Sequence, residues 1–160
     1  MSVFSRGTIR YLVLGGVSIA LLCFVLVAVL NTHMPKSTSF MSVTVGSAPP
    51  FRVDVADTGE LRTQGLSGRS SLGENAGMFF LFPKAGMYGF WMKDMLFPID
   101  IIWISHDRVV GVSEHVLPGT SPERHVYYPP KFVDKVLEVH DGFVAKYKIA
   151  VGDTVTISHE

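Results

Sequence analysis

Four charged side chains lie in or beside apolar segments of this sequence: Lys93, Asp94, Asp100 and Glu138. A fifth, Arg69, follows a predicted helix. An unpaired charge inside an apolar core is costly. Charges in such places are therefore either paired for structure or retained for chemistry. The first alternative predicts an internal ion-pair network, most simply Arg69 or Lys93 in contact with Asp100 or Glu138.

The second alternative is a polar cleft that holds a ligand. Arg69, Lys93 and the two carboxylates would bind its polar groups, and the indole ring of Trp91 would provide a stacking surface. Such a cleft suits a saccharide or a cell-wall fragment. The candidate ligand-binding residues are Arg69, Trp91, Lys93, Asp100 and Glu138.

Paired carboxylates suggest a third alternative, because two carboxyl groups across a cleft can hydrolyse a glycosidic bond. Asp100 and Glu138 are the candidate pair, acting as acid and as base or nucleophile. Their spacing along the chain does not require this role, so no catalytic residue is assigned. A hydrolase of envelope polysaccharide remains the enzymatic alternative to a binding domain.

Methionine and histidine form a further set. Thioether ligands favour Cu(I), which would suit a copper-handling protein. Methionine also fills irregular cores, and the spacing of Met92 and Met95 sends their side chains to opposite faces of a strand. We therefore predict core packing and no metal or cofactor, with Met92 and His140 as the weak candidate ligands. The set contains Met78, Met87, Met92, Met95, His115 and His140.

The N-terminal region contains a strongly apolar segment. Residues 11–30 carry no charge and are numerous enough to cross a hydrocarbon core of about 30 Å as a helix. Arg6 and Arg10 precede the segment, so residues 1–10 are predicted to be cytoplasmic and the remaining chain extracytoplasmic. A cleaved signal peptide is the alternative, but residues 26–31 lack a clear cleavage site. We expect an uncleaved single-pass anchor in the inner or cytoplasmic membrane of a bacterial cell envelope.

Composition excludes some classes of protein. The 160 residues contain 14 lysines and arginines against 14 aspartates and glutamates, and no basic stripe that would indicate nucleic-acid binding. Cys23, the one cysteine, lies in the apolar segment, so no internal disulfide can form. The expected partners are the membrane, through residues 11–30, and an envelope glycan or protein.

Beyond this segment the sequence is predicted to be mainly β. Residues 31–50 form a linker with one candidate strand over residues 40–45, and residues 51–56 alternate as a half-buried strand. Asp57 and Glu60 resemble a helix start. About eight short strands, dense turns and two small helices favour an antiparallel β-barrel or sandwich over residues 51–160.

The segment from Gly77 to Ile104 supplies three of these predicted strands. Residues 78–82 end at Pro83, residues 87–92 end near Asp94, and residues 99–104 end in a polar turn. The later strands are predicted over residues 108–116, 133–139 and 154–158, with a proline-rich loop between the first two and a short helix after Asp141.

Several motifs recur together in one known family. They are VADTGELRTQGLSGRSSL (55–72), GMFFLF (77–82), FWMKDMLFPIDI (90–101), VLEVHDG (136–142) and VGD (151–153). In this order and spacing the chain resembles the domain-of-unknown-function 192 family of bacterial and archaeal proteins, often exported to the envelope. The resemblance spans roughly residues 53–157. It implies a compact, mostly β fold and brings no established activity, substrate or cofactor.

The chain departs from the family pattern at two adjacent positions. Members usually read FWMKNT where this chain has Asp94 and Met95. Asp94 therefore replaces a common amide, and Met95 replaces a hydroxyl. No role of that amide or hydroxyl can be transferred to this chain.

Overall fold

A computed structural model of the chain describes residues 40–119 and 126–159, and the side chains of all these residues except 159. Among these residues, no helix is long and apolar enough to cross a membrane. The predicted anchor, residues 11–30, and the predicted cytoplasmic residues 1–10 lie outside the described part.

The described chain is mainly β, as predicted, with nine strands and two short helices. The helices are α1 (Gly59–Gln64) and α2 (Phe143–Tyr147). The strands are β1 (Phe40–Val45), β2 (Phe51–Ala56), β3 (Ala76–Gly86), β4 (Phe90–Trp91), β5 (Ile99–Ser105), β6 (Arg108–Val116), β7 (Val126–Tyr127), β8 (Val133–His140) and β9 (Val155–His159).

Seven strands form one curled sheet in the order β6-β5-β8-β3-β2-β1-β9. The two outer strands approach each other at one end, where Arg108 of β6 bridges Thr154. Val109 donates its N–H to the carbonyl of Asp153, and Val155 donates to that of Asp107. The sheet is therefore a half-barrel that is closed by hydrogen bonds at this end.

The sheet is mostly antiparallel, as predicted, with one parallel pair of strands. β2 and β3 pair in parallel, with Val53 beside Gly77 and Val55 beside Phe79. Residues 57–75, which include α1, connect the two strands and return the chain to the end of the sheet where β2 began. A crossover of this length permits parallel pairing, which a tight hairpin does not.

Two predicted strands also have different bounds. β3 continues through Pro83 to Gly86, and its register with β8 shifts between Leu81 and Gly86. Proline lacks an N–H, so it is tolerated at such an irregularity. In residues 87–92 only Phe90–Trp91 forms a strand, and it pairs with β7 in a separate two-stranded ribbon.

The curled sheet has a core on each face. The inner core lies within the half-barrel, and α2 contributes Phe143 and Val144 to it. The outer core covers β3, β8 and β5 on the opposite face, where the segment after α1 and the segment between β3 and β5 pack on the sheet. The predicted core role of Met78, Met92 and Met95 is confirmed, because all three are buried in the outer core, whereas it is wrong for Met87, which is 46% exposed. Met92 and Met95 follow β4 and pack into the same core, so the prediction that they lie on opposite faces of a strand is wrong.

Candidate functional site

Glu138 lies on β8, in the middle of the curled sheet. Its neighbours across the sheet are Met78 on β3 and Ile101 on β5, both apolar and buried. Side chains alternate between the faces of a strand, so Glu138 points into the outer core with Val136. Its side chain is buried, and its Oε2 atom has no hydrogen-bond partner.

Burial determines the ionisation of this carboxyl. The loss of hydration inside the outer core raises the pKa of Glu138 from 4.5 to about 8, and the positive charge of Arg69 opposes this effect. Glu138 is therefore mostly a neutral acid at pH 7. A buried carboxyl with a strongly shifted pKa in a cavity is a typical feature of functional sites.

The cavity beside Glu138 has a volume of about 450 Å³. One wall is α1 with the residues that follow it, and the opposite wall is aromatic. The lining residues are Gly59, Arg62, Thr63, Gln64, Gly65, Leu66, Ser67, Phe80, Phe82, Tyr88, Gly89, Phe90, Trp91, Met95 and Glu138.

Local sequence determines where the α1 wall begins and ends. The helix starts one residue later than the sequence predicted, because Thr58, rather than Asp57, accepts a hydrogen bond from the N–H of Leu61 through its Oγ1. Gly65 ends the helix with a φ of 52°, a conformation that favours glycine. Leu66 then enters the outer core and brings Ser67 to the cavity.

Aromatic contacts fix the opposite wall. The rings of Phe82 and Tyr88 are stacked with centroids 3.7 Å apart. Phe90 packs edge-on against Phe80 and against the buried Trp103. Trp91, the next residue of β4, is 40% exposed and lines the cavity. The wall is thus rigid at its base and accessible at Trp91.

Asp100 lies on the other face of the sheet. The pairing of Ile101 with Glu138 places the preceding residue, Asp100, towards the inner core. Its Oδ1 accepts a hydrogen bond from the N–H of His115, and its Oδ2 accepts one from the N–H of Val144, both at 2.9 Å. Asp100 therefore ties β6 and the start of α2 to β5, and the structure does not bring it together with Glu138.

Arg69 does not form the predicted ion pair with Asp100 or Glu138. Its Nη2 contacts Oδ2 of Asp54 on β2 at 2.6 Å, and both side chains are partly exposed. Arg69 nevertheless lies close enough to Glu138 for its charge to lower the pKa of that carboxyl. Arg69 therefore acts on Glu138 through its charge, as a nearby cation, while its ion pair is with Asp54.

Lys93 is also not part of the predicted network. Its side chain is exposed and approaches Asp94 at 3.7 Å. Its carbonyl accepts a hydrogen bond from Oγ of Ser67, and the carbonyl of Asp94 accepts one from the N–H of Gly68. Lys93 and Asp94 hold the two covering segments together through their backbone. The φ of 57° at Asp94 is a left-handed conformation that aspartate adopts more readily than most residues.

Sequence reasoning identified Glu138 and Trp91 but missed most of the cavity. The sequence places Arg62 and Gln64 in a polar helix. It places Phe82 and Tyr88 in apolar strands. Arg62 donates from Nη1 to the carbonyls of Asp57 and Leu81, and its guanidinium lies over the ring of Phe82. No local pattern signals contacts that depend on how α1 packs.

The two candidate metal ligands, Met92 and His140, have different environments. Met92 is buried in the outer core, whereas His140 is exposed at the end of β8 beside a separate cavity of about 140 Å³. Among residues 40–119 and 126–159, no three histidine, cysteine, aspartate or glutamate side chains are grouped to hold a metal ion.

Comparison with known proteins shows which family the chain matches. Residues 41–157 match the profile of DUF192, which is described as "Uncharacterized ACR". The match covers both cores and every lining residue of the cavity. No curated protein matches the chain.

Two solved structures have a similar fold. One is a protein of unknown function from Novosphingobium aromaticivorans DSM 12444, with 31% identity, a TM-score of 0.66, and coverage of 72% of this chain and 83% of that chain. The other is a proposed transcription regulator from Sinorhizobium meliloti 1021, with 23% identity, a TM-score of 0.71, and coverage of 77% and 97%. At 23% identity the second similarity shows the fold alone.

Proposed function

The chain belongs to the DUF192 family, and we propose that it binds a small organic ligand in the cavity beside Glu138. The unpaired Oε2 of Glu138 carries this proposal. A buried polar atom without a partner costs free energy, which a bound ligand would recover by forming the missing hydrogen bond.

The cavity has the properties of a small-molecule site. A volume of about 450 Å³ falls within the range of roughly 300–1,000 Å³ that is typical of ligand pockets. Its walls are largely aromatic and aliphatic, and few polar groups converge on it. Such walls bury the body of a ligand, while Glu138 at the buried end would orient it.

A saccharide ring is one chemistry that this site suits, because Trp91 exposes part of its indole at the cavity. The paired-carboxylate hydrolase finds no support, since Asp100 and Glu138 lie on opposite faces of the sheet. We therefore propose binding without glycosidic hydrolysis.

The proposed setting is the cell envelope. The uncharged residues 11–30, preceded by Arg6 and Arg10, support an anchor with the β domain outside the membrane. Carbonate washing of membranes from cells that produce the chain should leave it in the pellet. Release into the wash, or recovery of a shortened chain that lacks residues 11–30, would contradict an uncleaved anchor.

A ligand screen tests the proposed function. We expect fragments, including monosaccharides and aromatic amines, to shift the NMR signals of Phe80, Trp91 and Glu138 in the full chain. Glu138→Gln should weaken these hits, whereas Glu114→Gln, the same change at an exposed position of β6, should not. Hits that map only outside the cavity, or that bind both variants equally, would refute the proposal.

A further inference from the structure

Glu138 is the one acidic side chain among the described residues that line the cavity, and burial keeps its carboxyl mostly neutral at pH 7. Its two neighbours across the sheet, Met78 and Ile101, are apolar. Its Oε2 is buried without a hydrogen-bond partner. The carboxyl is thus placed where a ligand, rather than water, would have to provide the complementary group.

The nearby cations already have partners. Arg69 pairs with Asp54, and Arg62 on α1 donates to two backbone carbonyls and lies 5.3 Å from the ring centroid of Phe82. On the aromatic wall, the hydroxyl of Tyr88 donates to the carbonyl of Lys84. Among the described residues, Oε2 of Glu138 is the buried side-chain polar atom that has no hydrogen-bond partner.

The aromatic wall is complementary to positive charge. Aromatic rings attract cations through the negative potential of their faces, and this attraction is strongest where water is excluded. Trp91, Tyr88 and Phe90 line the same cavity as Glu138. A carboxyl and aromatic rings that line one cavity are together complementary to an organic cation.

We propose, building on the proposed function, that the ligand is an organic ammonium compound whose positive charge is held beside Glu138 and whose apolar body contacts the aromatic wall. A protonated amine would form a charge-assisted hydrogen bond with Glu138, about twice as strong as one between neutral groups. A quaternary ammonium has no N–H, so it would gain from charge attraction to the carboxylate and from the faces of the aromatic rings. The site would therefore prefer an amine or a quaternary ammonium over a neutral molecule of the same shape.

This preference has a defined pH dependence. The ligand-free carboxyl keeps its proton up to a pKa of about 8, so a bound cation must displace that proton at neutral pH. Affinity for a cation of fixed charge should therefore rise with pH up to about 8 and then level off. The other charged groups near or lining the cavity are Arg69, Asp54 and Arg62.

Titration calorimetry with choline and with 3,3-dimethylbutan-1-ol tests the inference on the full chain. The two probes share a shape and differ by one charge, and the charge of choline does not titrate. We expect choline to bind about tenfold more tightly than the alcohol at pH 9, because of charge attraction and cation–π contact, with a smaller ratio at pH 6. The preference should vanish in Glu138→Gln and persist in Glu114→Gln.

The outcomes separate this inference from the proposed function. If the alcohol binds as tightly as choline and both map to the cavity, the cation preference is wrong while the ligand site stands. If choline does not bind, or binds equally to Glu138→Gln, the inference is overturned. The proposed function is then decided by the fragment screen alone.

Discussion

Glu138 and Asp100 show how the same side-chain chemistry takes different roles on the two faces of one sheet. Both carboxyls are buried and belong to β strands. Asp100 accepts two backbone hydrogen bonds, so its charge is compensated by donors that the fold itself supplies. Glu138 has apolar neighbours and one oxygen without a donor, so burial favours its neutral form.

The raised pKa of Glu138 predicts a pH-dependent stability. Below about pH 4.5 the carboxyl is protonated in the folded and in the unfolded chain, so its contribution to the free energy of unfolding has its full value there. Between about 4.5 and 8 the unfolded chain releases the proton and the folded chain keeps it, so stability falls by roughly 1.4 kcal/mol per pH unit. Above about 8 both states are ionised and the loss levels off.

Glu138→Gln removes this dependence. Its free energy of unfolding should therefore rise relative to the wild type by about 4 kcal/mol between pH 5 and pH 8. Urea denaturation at a series of pH values measures the difference, and Glu114→Gln should follow the wild-type curve. A constant difference between Glu138→Gln and the wild type across this range would mean that the carboxyl is not held neutral in the fold.

Asp100→Ala should be strongly destabilising at pH 7. It leaves the N–H groups of His115 and Val144 without their acceptor, at a cost of about 2–5 kcal/mol for the two. Denaturation by urea at pH 7 measures the loss. Asp107→Ala, at an exposed turn, is the matched control, and similar midpoints for the two variants would contradict a structural role for Asp100.

At the scale of elements, the cavity depends on the ribbon of β4 and β7. Gly89 precedes this ribbon, and a methyl group there would lie 2.7 Å from Cγ1 of Val126 and 2.9 Å from Cε1 of Tyr128. Such distances are too short, so either the ribbon or these side chains must move. The aromatic wall next to Trp91 would move with them.

Gly89→Ala should therefore weaken ligand binding by about tenfold, while the free energy of unfolding changes by less than about 1 kcal/mol because the ribbon lies outside the main sheet. Gly59→Ala is the control, since it lines the same cavity and its added methyl group meets no atom within 4 Å. Equal affinities of the two variants for a fragment hit would show that the ribbon does not shape the site.

The elements also show what a single sequence reveals. Alternation predicted β1 and β2 with the bounds that the structure has, and the strand predicted over residues 108–116 coincides with β6. The parallel pairing of β2 with β3 was missed, since it depends on how residues 57–75 cross the sheet. Glu138 was recognisable as a charge in an apolar strand, whereas its separation from Asp100 required the register of β5 with β8.

In the whole molecule, closure of the half-barrel joins the two edges of the seven-stranded sheet, β6 and β9. The bridge between Arg108 and Thr154 and the hydrogen bonds around it connect the β5–β6 turn to the start of β9. This closure encloses the inner core, on which α2 packs. The outer core and its cavity are thus built on a sheet whose curvature is fixed independently of any ligand.

Hydrogen exchange measures this closure. The amides of Val109, Gly152 and Val155 donate to carbonyls across the seam, so they should exchange with free energies close to that of global unfolding. Their protection should be the same in Glu138→Gln at a pH below 5, where the two chains carry the same charge in the cavity. Exchange as fast as that of exposed loops would show that the sheet opens at this seam.

In the free protein Glu138 is a mostly neutral acid at pH 7, and we propose that a ligand contacts its carboxyl. The ¹³C chemical shift of the carboxyl carbon, followed against pH with and without saturating choline, measures both the protonation and the contact. We predict a midpoint near pH 8 in the free chain and a clearly lower midpoint with choline. A midpoint near 4.5 that choline does not change would contradict the account.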